Sequence, residues 1–152
     1  MKRLQVTVFA FGLFGAVLVG VYWSGLHGAF FYDDGPSILL SHGVRLEVFT
    51  WDSLRQAWQS GGAGPSGRPV AQLTFALNHY FNGFSPFAFK ATNLAIHATC
   101  GALVLGLVHS LLKATYPTAS HDRTLLASGV VTTLWLLHPI QLLPVLHVVQ
   151  RM

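Results

Sequence analysis

The chain has 152 residues, of which 52% are hydrophobic and only 9% charged, and its mean hydropathy is +0.51. Soluble domains usually carry about 25% charged residues, so this composition argues against one. The net charge of +4 comes from nine dispersed basic side chains, which excludes the clustered basic face a nucleic-acid binder needs.

The first apolar stretch, residues 4–26, is uncharged and follows Lys2-Arg3. It exceeds the hydrophobic region of a cleaved signal peptide and lacks a small-x-small site after it, so an uncleaved span is expected. Tyr22 and Trp23 near its end suit the headgroup level. Residues 27–85 differ, holding Asp33, Asp34, Glu47 and Asp52 and the glycine-rich stretch 60–67. Within them Trp51, Leu54 and Trp58 recur at i, i+3 and i+7, which predicts an amphipathic helix. It lies either at a membrane surface or against a neighbouring span. A second short helix is expected from Arg68 to Phe81, with a turn at Asn82-Gly83.

A second span is expected over residues 86–112. Lys90, Asn93 and His97 recur along one face of it, and such a polar stripe belongs in a bundle interior or a wet cavity. A polar connection follows at 113–123, and a third span is expected at about 124–146. His138-Pro139 and Pro144 interrupt it, so it either continues kinked or breaks near Pro139. The fold class is therefore an all-α integral membrane chain of about three spans. Basic residues at the span ends predict a cytoplasmic amino terminus and 113–123 connection, with residues 27–85 on the opposite side.

Asp33-Asp34 is the first candidate site. A carboxylate at a membrane boundary can act as a general base toward a hydroxyl, or it can simply cap the helix that Gly35-Pro36 opens. His138 and Arg151 fall on the same expected side. A guanidinium reads phosphate with its fork, whereas the plainer roles are helix termination and interfacial anchoring. Asn93 and His97 are either packing contacts between helices or a polar relay. The single cysteine, Cys100, sits in an apolar run and reads as a small buried hydrophobe. No zinc, P-loop or dinucleotide-binding motif is present, and histidine spacing supports no metal site; a divalent cation at the acidic pair has no spacing to recommend it.

Six short motifs then occur in order: Phe31-Tyr-Asp-Asp34, Arg68-Pro-Val70, Leu77-Asn-His-Tyr80, Phe87-Ala-Phe-Lys-Ala-Thr-Asn-Leu-Ala-Ile-His97, His138-Pro-Ile-Gln141 and Val148-Val-Gln-Arg151. Together they resemble the start of the GT-C membrane glycosyltransferases, and more narrowly the O-mannosyltransferase-like family with transmembrane helices followed by tetratricopeptide repeats, in its bacterial branch. The resemblance implies a chain of the bacterial inner membrane, in contact with lipid. It implies transfer of a sugar from a polyprenyl-phosphate donor to a protein or glycan hydroxyl on the non-cytoplasmic face, with no cofactor. It places the general base at Asp34 or Asp33 and carrier-phosphate or local contacts at Arg68, His138 and Arg151. It also implies that the chain is the amino-terminal piece of a larger bundle, inactive alone. Leu142-Leu143 depart from the small or acidic residue the family carries after its His-Pro motif. Other readings are a non-catalytic membrane subunit or assembly factor, or a transport component using Lys90, Asn93 and His97.

Overall fold

The computed structural model describes residues 15–61 and 67–151, whose regular structure is all helical, with no strand among them. Helix α1 is Gly15–Leu26. A π-helical turn, Gly35–Leu39, precedes α2 (Trp51–Gln59), α3 (Pro69–Asn82), α4 (Pro86–Thr115) and α5 (His121–Leu136). A short 3-10 turn (Pro139–Gln141), α6 (Leu142–Leu146) and a last 3-10 turn (Val148–Arg151) follow.

The helix ends have local causes. The Thr50 hydroxyl accepts from Ser53 N–H at 3.3 Å and starts α2, with Asp52 favourably placed in the first turn. Ser120 does the same for α5 at 3.4 Å. Its cap, together with the continuation of α4 to Thr115, shortens the expected 113–123 connection to residues 116–120. Lys113 in the last turn of α4 donates to Ala119 O at 2.8 Å. Gly83 closes α3 at φ +57°, a conformation glycine adopts without Cβ strain, while its N–H bonds His79 O.

The expectation of about three spans is not matched helix for helix. Among the described residues, only α4 is by itself long and apolar enough to cross a membrane. Only 17% of its most apolar window is buried, so α4 is not the core helix of a soluble domain. In the region expected to form the third span, α5 ends before His138-Pro139, and the two halves are bent by 54°. Proline removes a helix donor and clashes with the preceding turn, so the break replaces a continuous helix. The 4–26 span lies partly outside the described residues; its described portion is α1.

The described chain divides into two compact units, one built from residues up to Trp23 with Leu94–Leu142, the other from Ser24–Asn93 with Leu143 onward. In the first, Thr124, Ser128, Thr132 and Leu136 recur every four residues along α5 and are all buried. Small hydroxyls at such spacing permit close helix approach, and Ser128 and Thr124 return their protons to Thr124 O and His121 O at 2.6 and 2.9 Å. Cys100 is exposed on α4 rather than buried. The core of the second unit is Ile38, Val44, Ala71, Phe75, Phe89 and Val148, with Phe30 and Phe84 packed on it. Burying each such aromatic is worth about 2–3 kcal/mol. A smaller cluster of Leu46, Ala57 and Ala76, with Leu54 and Leu73, joins α2 to α3.

Candidate functional site

The acidic pair splits into two different environments. Asp33 is exposed, whereas Asp34 has no exposed surface. Asp34 precedes the π-helical turn but does not cap it. Its Oδ2 instead accepts from Phe31 N–H at 2.9 Å, while its own N–H donates to Phe31 O at 3.0 Å, closing the Phe31–Asp34 turn from both sides. Its Oδ1 accepts from Val149 N–H at 2.8 Å, across 115 residues of sequence. His147 Nε2 stands 3.7 Å from the same oxygen, an ion pair only when the imidazole is protonated.

Tyr32, inside this turn, has φ +45° and is 87% exposed. A non-glycine residue in the left-handed region costs about 1–2 kcal/mol. The turn holds it there because both of its ends are bonded to Asp34. Replacing Tyr32 with glycine is therefore expected to raise stability by up to about 1 kcal/mol, since its exposed ring loses only a loose contact with Phe31, 6.4 Å away between centroids, and thermal unfolding in detergent checks it.

Arg151 anchors the other end of the same segment. Its Nε donates to Asn93 Oδ1 at 2.6 Å, Nη1 to Thr74 Oγ1 at 3.1 Å and to Asn78 Oδ1 at 2.8 Å, and Nη2 to Phe89 O at 2.7 Å. The guanidinium lies 4.7 Å from the centroid of Phe75. Burial pushes it down to about 10, so it remains charged at neutral pH. No carboxylate pairs with it among the described residues; neutral oxygens and a ring face hold the charge. Its fork is thus engaged within the fold.

Lys90, placed by the sequence on a polar stripe facing a bundle interior or a wet cavity, is buried. Its ammonium donates to Gly25 O, Gly28 O and Ala29 O at 3.3, 2.9 and 3.0 Å, which satisfies the carbonyls left over where α1 ends. This charge and that of Asp34 attract within the unit. Arg68 is exposed at φ +46° as the residue before α3, and its side chain does not cap that helix.

In the first unit, His97 is buried. His97 Nε2 sits 3.0 Å from Leu136 O, and the Tyr22 hydroxyl donates to the same carbonyl at 3.2 Å. Leu136 ends α5, and Ile140 N–H goes instead to His138 Nδ1 at 3.2 Å, so this carbonyl would otherwise be orphaned. Tyr22, expected at the headgroup level, is 2% exposed for that reason. His138 is exposed, with Nδ1 used as the acceptor that starts the 3-10 turn.

The structure therefore brings together Asp34, Asn93 and the Val149–Arg151 segment, and leaves Asp33, Arg68 and His138 exposed. The sequence reading missed Thr74 and Asn78, although their i, i+4 spacing on α3 is a legible polar stripe. It also missed His147, whose partner is set only by tertiary structure. No group of three or more metal-ligating side chains occurs among the described residues.

Among the described residues the molecule is thus all-helical in its regular structure, with one helix able to cross a bilayer and a carboxylate turn pinned by backbone donors. Its sequence is similar to protein O-mannosyltransferases. It is 30% identical over 137 residues to protein O-mannosyl-transferase Tmtc2 of Drosophila melanogaster, covering 86% of this chain and 14% of that protein. It is 26% identical over 146 residues to human TMTC4, covering 90% and 20%, and 30% identical over 115 residues to human TMTC1, covering 63% and 13%. The chain spans no more than a fifth of the length of these relatives. No family model and no solved structure matches it.

Proposed function

We propose that the chain forms part of a membrane glycosyltransferase that moves a sugar from a polyprenyl-phosphate carrier to a protein or glycan hydroxyl on the non-cytoplasmic face, in the bacterial inner membrane. The similarity to protein O-mannosyltransferases over as much as 90% of the chain carries this reading.

The division of the acidic pair supports assigning it two jobs. Asp33 keeps an exposed carboxylate and serves as the general base toward the acceptor hydroxyl. Asp34 has both oxygens committed to backbone N–H groups and acts as a positioning residue, fixing the turn that presents Asp33. Arg68 and the free Nε2 of His138 are exposed and able to meet a phosphate. Arg151 contributes by ordering the fold around Asn93 and Asn78, not by offering its fork to the carrier.

The test is Asp33→Asn in the intact gene product, assayed in membranes with polyprenyl-phosphate-linked mannose and an acceptor peptide. Transfer is expected to fall at least about a hundredfold with unchanged thermal stability. Undiminished transfer overturns the assignment of Asp33 as base.

A further inference from the structure

One surface of the second unit has no role in the chemistry just described. Phe49, Trp51, Trp58, Tyr80 and Phe81 are all exposed, Trp51 at 80% and Phe81 at 71%. Phe49 lies 5.5 Å from Tyr80, and Tyr80 lies 5.1 Å from Phe81, between ring centroids. Phe49 joins Trp51, Trp58 and Arg55 in lining an open, mostly apolar groove of about 670 Å³ between α2 and α3, so the aromatic side chains make one band. The inner side of α2 is already occupied by Ala57 and Leu54 against α3, so the indoles are not spare core residues.

We propose that this aromatic edge is a membrane-surface contact, seated at the headgroup–acyl boundary with Arg55 reaching anionic headgroups. Three observations select lipid over a protein partner. Gly83–Ser85 alone separate α3 from α4, the helix able to cross a bilayer, so Tyr80 and Phe81 lie in sequence only six and five residues before its start. The band is built of Trp, Tyr and Phe, whose amphipathic or apolar rings gain at this depth. Arg55 makes no ion pair among the described residues, which leaves its guanidinium for a headgroup phosphate. The proposal stands apart from the sugar-transfer reading, and its test does not measure transfer.

The full chain is reconstituted in phosphatidylcholine–phosphatidylglycerol vesicles with Trp23→Phe and Trp135→Phe, leaving Trp51 and Trp58 as the only indoles. Lipid brominated near the carbonyl end of its acyl chains is expected to quench their emission several-fold more than lipid brominated deep in the chain, with iodide in the water quenching weakly. The reciprocal variant, Trp51→Phe with Trp58→Phe, loses that shallow component from the total emission. Both indoles are exposed, so this second variant keeps the fold. Strong iodide quenching without lipid quenching overturns the proposal by placing the edge in water. Protection from both quenchers overturns it as well, because another protein surface, such as a second copy, then covers the band.

Discussion

Replacing Asp34 with alanine should unfold the second unit far more readily than replacing Asp33. Asp34 is wholly buried and accepts from Phe31 N–H and Val149 N–H. Removing the carboxylate strands two backbone donors and leaves a cavity, at a cost of roughly 3–5 kcal/mol. Asp34→Asn keeps the shape and one acceptor but turns an amide N–H toward the other donor, so an intermediate loss of about 1–3 kcal/mol is expected. Asp33→Ala, on an exposed side chain, should fall within about 0.5 kcal/mol of the parent. Thermal unfolding of the three variants in detergent orders them. Equal stability of Asp34→Ala and the parent would sink the structural role given to Asp34.

Loss of the Arg151 side chain should rank next. Alanine there leaves Asn93 Oδ1, Asn78 Oδ1, Thr74 Oγ1 and Phe89 O without their donor and removes the charge from the Phe75 face. A cost of about 3–4 kcal/mol follows. Arg151→Lys should recover less than half, because an ammonium cannot span four acceptors arranged around a planar fork. The pairing with Asn93 is open to a double-mutant cycle. Arg151→Ala and Asn93→Ala should be coupled by about 1–2 kcal/mol, and additive losses would show that the two side chains act separately.

How far the sequence predicted these features depended on how local their causes are. Helices α2 and α3 and the turn at Gly83 followed from the Trp51/Leu54/Trp58 spacing, the Arg68–Phe81 stretch and Asn82-Gly83, all of which act within a few residues. The break at His138-Pro139 was one of two open readings, and the proline decided it. Asp33 and Asp34 were indistinguishable in sequence because what separates them is Val149, far along the chain. The polar stripe on α4 fits the burial of Lys90. Its partners were not legible, because the three carbonyls that accept from its ammonium lie at the end of α1, more than 60 residues earlier. Arg151 was read by its chemistry, which suits phosphate. The amide and hydroxyl oxygens of Asn93, Asn78 and Thr74 suit the same fork, and nothing in a linear sequence ranks those partners.

The bond from Val149 to Asp34 also fixes a timetable for biogenesis. At roughly 5–20 residues per second, the ribosome adds the 115 residues that separate them in about 6–23 s. During that interval the nascent Asp34 carboxylate lacks one of its two backbone donors and must stay hydrated. A translational pause before codon 149 should therefore lengthen its exposure to quality-control proteases.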